Sequence, residues 1–201
     1  MTAWLIALAC ALLPMFWAVG ACNRLIGLRT GFRLAFQQVD AQSKRRHDLV
    51  PGLVDAARPY LMQARHMLDG VTAARNQAFM ASVLAADDPT DAAAIDRMVA
   101  AEAVLVTSLD RLLQASHGCG ALWKNAGMRA LASDLGNTES RLAFAQQAYN
   151  ASVAQYNQAI DQFPGSLLAN LFGFRRAAPL QAIRSAEERR AQDRAPPRRR
   201  P

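Results

Sequence analysis

The chain has 201 residues and a formal net charge of +7, from 23 Lys and Arg against 16 Asp and Glu; 52% of it is hydrophobic but only 7% aromatic. That length suits one core of ordinary size with appendages, and an apolar share supplied largely by alanine, with few β-branched runs, favours helices over sheet. The three cysteines, Cys10, Cys22 and Cys119, form no pair at metal or redox spacing, which argues against a disulfide framework.

Residues 3–22, AWLIALACALLPMFWAVGAC, carry no charge. About 20 apolar residues rising 1.5 Å each span a hydrocarbon core of about 30 Å, so residues 1–22 are expected to form a transmembrane helix in contact with membrane lipid. Pro14 is tolerated there as a kink, and Trp17 suits an interfacial position. No basic residue precedes the run, which disfavours a cleaved signal peptide, while Arg24, Arg29 and Arg33 follow it. That asymmetry places the remainder on the cytoplasmic side of a bacterial inner membrane, crossed once. Val19-Gly20-Ala21-Cys22 resembles a lipobox, which gives the alternative: an exported envelope lipoprotein acylated at Cys22.

Beyond Asn23 three long helical patterns follow. In the first, Phe32, Phe36 and Val39, then Val50, Leu53, Ala57, Leu61, Ala64, Leu68 and Val71, recur at steps of three and four. Pro51 and Pro59 interrupt it. A proline inside a helix removes a hydrogen bond and crowds the preceding turn, so a kink or break is expected near residues 48–52; alternatively, Asp48 caps a new helix with Pro51 in its first turn. Asp88-Pro89-Thr90-Asp91 marks the start of a second helix over about 89–116, with Ile95, Met98 or Val99, Val106, Leu109 and Leu113 on its apolar face and Gly118 and Gly120 at its end. The third pattern, Leu131, Leu135, Thr138, Leu142, Ala145, Tyr149, Ser152, Tyr156, Ile160 and Phe163, has coiled-coil spacing and stops at Pro164-Gly165. Leu167 to Phe172 suggests a short amphipathic helix, and residues 177–201, rich in arginine and ending Pro196-Pro197-Arg198-Arg199-Arg200-Pro201, read as a disordered tail. The expected fold is therefore all-α: a transmembrane helix (1–22), an antiparallel bundle of three long helices with the first one kinked plus a short C-terminal helix (23–176), and the tail.

The segment from Asn23 to Phe79, and within it Phe36 to Val54 with the nearly direct match Lys44-Arg45-Arg46-His47-Asp48-Leu49-Val50-Pro51, resembles the signature region of the LemA family of bacterial membrane proteins. Thr138-Glu139, Ala148-Tyr149-Asn150, Tyr156-Asn157, Phe163-Pro164 and Phe172-Gly173-Phe174 resemble that family's C-terminal half. Gly52 and Pro59 depart from its pattern. The resemblance implies one N-terminal membrane helix and a bundle of long antiparallel helices, and it implies no reaction.

The residues themselves offer little chemistry. His47, His66 and His117 have no partner at ligand spacing, Ser116, His117 and Cys119 sit in a connector without a nucleophile's strand-turn-helix context, and no glycine-rich phosphate loop occurs. Catalytic residues, a metal and cofactors are thus not expected, and specific nucleic-acid binding is not expected of the arginines in the absence of a recognition motif. Asp40, Lys44 and Asp48 repeat at four-residue intervals, with Gln38, Gln42 and Arg45 adjacent, whereas Arg46 falls where the apolar seam should continue. If Arg46 is buried, Glu102 or Glu139 is the candidate partner. Residues Gln38, Asp40, Gln42, Lys44, Arg45, Arg46 and Asp48 form the candidate interaction face for a protein partner. Helix lengths leave the stripe of Leu25, Phe32, Phe36 and Val39 uncovered by the second helix; either the first helix folds back near Pro51 and hides it within one chain, or the stripe meets its copy on a neighbour, and self-association through Phe32, Phe36 and Val39 is the expected outcome. The reading is a membrane-anchored, non-enzymatic scaffold.

Overall fold

The computed structural model describes residues 2–180, with side chains over 16–169 and 171–180. Every element among them is helical: α1 (Thr2–Ala57), α2 (Arg65–Asp87), α3 (Ala92–Gly118), α4 (Gly120–Lys124), α5 (Ala126–Asp161) and α6 (Gly165–Phe172), with a single 3₁₀ turn at Met62–Ala64. The all-α expectation holds, but the first pattern divides in two, so the bundle has four long helices rather than three.

The break falls at Pro59, not at Pro51. α1 runs through Pro51 to Ala57 without interruption. Pro51 is exposed, and the hydrogen bond it cannot make is replaced: Arg75 Nε on α2 donates to the His47 carbonyl, four residues before the proline, at 3.2 Å. The carbonyl left without its helical donor is thereby satisfied, which removes much of the reason for a helix to stop there. At Pro59 the chain turns instead. Arg58, just before it, is disfavoured in the α region, and the Tyr60 and Leu61 amides both turn back onto the Ala57 carbonyl at 3.0 Å, ending α1.

Contacts along α1 fix the course of α5. The isobutyl group of Leu131 faces Gly52, Tyr149 meets Phe36 at 5.5 Å between ring centroids, Tyr156 meets Phe32 at 4.9 Å, and Phe163, just past the end of α5, meets Trp17 at 5.1 Å. Numbers falling on one helix as they rise on the other mean antiparallel packing along the full 36 residues of α5, about 54 Å. The premise of the expected self-association, an uncovered stripe, does not hold: Leu25, Phe32, Phe36 and Val39 are at most 2% exposed, covered by α5 of the same chain. α5 is longer than the second helix and reaches the N-terminal end of the α1 seam.

α2 and α3 form a second antiparallel pair joined by Asp88–Asp91. Here the start signal shifts by three residues: Asp91 caps α3 through the Ala93 amide at 2.9 Å, while Asp88 accepts from the Thr90 amide and hydroxyl. The Thr90 hydroxyl, opposed by partial burial and aided by the Thr90 amide, Arg33 and Arg29, holds the Asp88 carboxyl below its ordinary range. On α3 the buried positions include Ile95, Met98, Val106 and Leu109 as expected, with Leu112 rather than Leu113. On α5 Val153 takes the place expected for Ser152, whose hydroxyl bonds the Ala148 carbonyl, and Phe163 is exposed.

The core is divided. One apolar cluster gathers Leu25, Phe32, Phe36, Val39, Ile95, Met98 and the α5 residues from Leu142 to Ile160. The other gathers Val50, Leu53, Leu68, Val71, Leu105, Leu109, Leu122, Met128 and Leu135. Between them on α1 lie Ser43, Arg46 and His47, buried with Ser82 of α2, Glu102 of α3 and Thr138 of α5.

Two glycines shape the C-terminal end. A β-carbon on Gly165 would stand 1.8 Å from the Ala159 carbonyl oxygen, so only glycine permits α6 to start this close to α5. Gly173 ends α6 in the left-handed region at φ 69°, where glycine carries no steric cost.

Among the described residues no helix is long and apolar enough to cross a membrane. The expected span 3–22 lies within α1, but its side chains as far as Met15, which carry most of the uncharged run, lie outside those described.

Candidate interaction face and the charged layer beneath it

α1 presents the segment from Gln38 to Asp48 on two sides at once. Gln38, Lys44, Arg45 and Asp48 are exposed, Asp40 and Gln42 are half-buried, and Arg46 is inside. Lys44 pairs with Asp40 at 2.6 Å rather than with Asp48. Asp40 also lines a shallow recess of about 330 Å³ with Arg33, Phe36, Gln37, Ala86, Asp87 and Pro89. The expected interaction face therefore loses Arg46, because helical spacing turns that position into the seam shared by Val39, Ser43 and Val50.

Glu102 supplies the partner Arg46 needs. The guanidinium bonds one carboxylate oxygen, and His47 Nε2 lies 3.0 Å from the other. The three side chains are at most 2% exposed. Burial pushes the Glu102 carboxyl up, but the His47 hydrogen bond and the Arg46 charge outweigh it, and the group stays ionised below its ordinary value. An ionised carboxylate can only accept, so the facing His47 nitrogen carries the proton. Among the described residues, His47 Nδ1 and Arg46 Nε find no hydrogen-bond partner. The His47 ring also packs edge-on against Phe79 at 6.1 Å, and Arg75, which caps the His47 carbonyl, lies 5.3 Å over that same ring. The Arg-Arg-His run thus divides its work: Arg45 faces solvent, Arg46 and His47 hold α1 to α3, and the His47 backbone holds α1 to α2.

A second polar system clamps the chain beyond α6. Residues 174–180 run back along α5 without a strand partner, so their backbone groups need side chains. The Tyr156 hydroxyl donates to the Arg175 carbonyl at 3.0 Å and the Tyr149 hydroxyl to the Ala178 carbonyl at 2.9 Å. Asn157 both donates to the Ala177 carbonyl and accepts from its amide, each at 2.9 Å, and Asn150 donates to the Leu180 carbonyl at 2.7 Å. The two Tyr-Asn pairs lie seven residues apart and so share one face of α5. Burial pushes the Tyr149 hydroxyl up to about 12, which keeps it a donor. Ala177 and Leu180 are buried, so the tail expected from residue 177 is docked at least to residue 180, and 181–201 lie outside the described residues.

The sequence model of the LemA family matches residues 35–193, a span that includes both the Lys44–Pro51 segment and the Tyr-Asn pairs. The chain belongs to the LemA family. No protein of curated function matches it. In this LemA protein the family-like residues that sequence reasoning singled out do structural work at named places: Pro51 with Arg75, Arg46 and His47 with Glu102, and Tyr149-Asn150 and Tyr156-Asn157 with the returning segment.

The remaining candidates are accounted for locally. Ser116 donates to the Leu112 carbonyl at 2.7 Å and His117 packs edge-on against Trp123 at 3.8 Å, so they do not converge with Cys119 on a common point. Among the described residues no group of three His, Cys, Asp or Glu side chains is placed to hold a metal ion. Arg75 was missed by sequence reasoning; the available signal was a proline four residues after His47, whose carbonyl had to find another donor.

Proposed function

We propose that this LemA-family protein is a membrane-anchored, non-enzymatic scaffold whose first helix both spans the bacterial inner membrane at residues 3–22 and serves as the central strut of a cytoplasmic bundle. The observation that carries the reading is α1 itself: 56 unbroken residues that join the uncharged N-terminal run to the core-forming Phe32, Val39, Val50 and Leu53. A helix shared in this way transmits position and orientation from membrane to bundle without a flexible linker. The strongest charge cluster supports a scaffold over an enzyme, because Arg46, His47 and Glu102 are enclosed and engage one another. The arginines on the C-terminal side of the run support the cytoplasmic orientation. The exposed Gln38, Lys44, Arg45 and Asp48 are the surface offered to a protein partner.

The alternative, export and acylation at Cys22, requires cleavage just before that residue. Ala18 and Ala21 pack against the core, and Trp17 packs against Phe163, so cleavage would remove part of the bundle's own packing. That favours the uncleaved anchor.

Photo-crosslinking from Gln38, Arg45 and Asp48 in native membranes tests the scaffold reading. A discrete protein adduct from these positions, absent from the opposite surface at Phe144, is expected; equal labelling at all four, or none, contradicts it. A reporter joined to Pro201 tests orientation, with activity only on the outer side of the membrane refuting it.

A further inference from the structure

The end of the bundle at which α1 enters the proposed span carries an apolar surface that the fold does not use. Phe163, Leu167, Leu171 and Phe172 are between 62% and 75% exposed, while Leu168 and Ala169 on the opposite side of α6 are buried. A short helix that is apolar on both sides needs a second apolar environment. The patch continues onto α1: the Trp17 ring meets the Phe163 ring at a tilt, 5.1 Å between centroids, and an open groove of about 610 Å³ between α1 and α6 is lined by Val19, Cys22, Ile26, Phe172 and others.

Depth and charge identify what covers it. Trp17 lies five residues inside the end of the uncharged run, which is about 7.5 Å along the helix axis. Its contact with Phe163 places the start of α6 at that depth, within the roughly 5–10 Å to which interfacial helices bury their apolar faces. Just above the patch the chain turns basic. Arg24 borders the recess beside Phe163 and Gly165, Arg29 borders the groove at Phe172 and Phe174, and Arg175 is exposed two residues beyond Gly173. None of the three forms an ion pair among the described residues, and the neighbouring carboxylate of Asp161 is taken by Arg176 at 2.7 Å. An apolar floor rimmed by arginines that form no ion pair matches acyl chains below anionic phosphates.

We propose that α6 is a second membrane contact: it lies in the interface of the leaflet from which α1 emerges, with Leu167, Leu171 and Phe172 among the upper acyl chains and Arg24, Arg29 and Arg175 at anionic headgroups. The bundle then stands on the membrane at two points, and its tilt is fixed. This rests on the proposed span at residues 3–22, and it adds a contact that the span alone does not require.

The test uses the full chain in phosphatidylcholine vesicles containing phosphatidylglycerol, with bromine near the top of the acyl chains as a short-range quencher. Three single-tryptophan proteins are compared, the other tryptophans being replaced by Phe: Trp17 alone, Trp123 alone, and Leu171→Trp. Circular dichroism checks that helix content is unchanged. The inference expects Leu171→Trp to lose about half its emission to brominated lipid, as an interfacial residue should, with Trp17 quenched and the distal Trp123 unaffected. Quenching of Trp17 without quenching of Leu171→Trp overturns the inference and leaves the anchor standing. No quenching at either position overturns both. Leu171→Trp that is shielded from aqueous iodide yet untouched by bromolipid would show that protein, such as a second copy, covers the patch, and also overturns the inference.

Discussion

Removing Arg75 should be costly only while Pro51 is present. Arg75 Nε is the donor that serves the His47 carbonyl, because residue 51 has no amide hydrogen to give. In Arg75→Leu that partly buried carbonyl loses its partner, at about 1–3 kcal/mol, and the contact of the guanidinium with the Phe79 ring is lost at about 0.5–1 kcal/mol. In the Pro51→Ala background the new Ala amide can take over the carbonyl, so the same substitution should cost only the ring contact. The double-mutant cycle should therefore return a coupling of about 1–3 kcal/mol between positions that lie on different helices. Urea unfolding of the detergent-solubilised chain, followed by circular dichroism with equal slopes for all four proteins, gives the numbers. An equal cost of Arg75→Leu in both backgrounds would refute the idea that Arg75 is what carries α1 through its proline.

Arg46→Met should destabilise the bundle by about 3–5 kcal/mol, because it leaves Glu102 charged and buried, whereas Arg46→Met with Glu102→Leu should recover most of the loss in the same unfolding assay. Since Glu102 is held below its ordinary value, its contribution is fully present above about pH 4.5 and is lost as the pH falls through its depressed folded value; Glu102→Gln should flatten that part of the stability profile. Leu142→Ala should cost about 2–5 kcal/mol and Ser140→Ala under about 0.5, so similar melting temperatures would show the phase of α5 to be wrong. Phe32→Glu with Phe36→Glu should unfold the apolar cluster around Leu25 to Val39, seen as lost helix and cooperativity, rather than dissociate an oligomer of intact bundles. Asn157→Ala should release residues 174–180 from α5, raising hydrogen exchange at the Ala177 amide while the α5 amides stay protected.

Much of this architecture was legible because helical periodicity records burial directly. Leu135, Leu142, Tyr149 and Tyr156 fall on the inward face of α5, as their spacing required. Arg46 likewise appeared as a charge in an apolar seam, which narrowed its partner to Glu102 or Glu139. What was not legible came from groups that answer to distant residues. The choice of Pro59 over Pro51 as the break depended on Arg75, 24 positions beyond the first proline, arriving beside His47. The coverage of Phe32 and Phe36 depended on the reach of α5, and lengths compared against the second helix alone missed it. The docked stretch 174–180 has no periodicity of its own; its signature lay instead in Asn150 and Asn157, polar residues beside a seam that had unpaired backbone to serve.

The central claim is that α1 is one uncut helix from the membrane into the bundle. Intact mass of the protein recovered from membranes washed with alkaline carbonate tests it, alongside a Cys22→Ser variant. The account predicts that both remain in the membrane pellet with a mass that includes the residues before Cys22. A mature protein that begins at an acylated Cys22, with the Cys22→Ser variant unprocessed, would contradict it.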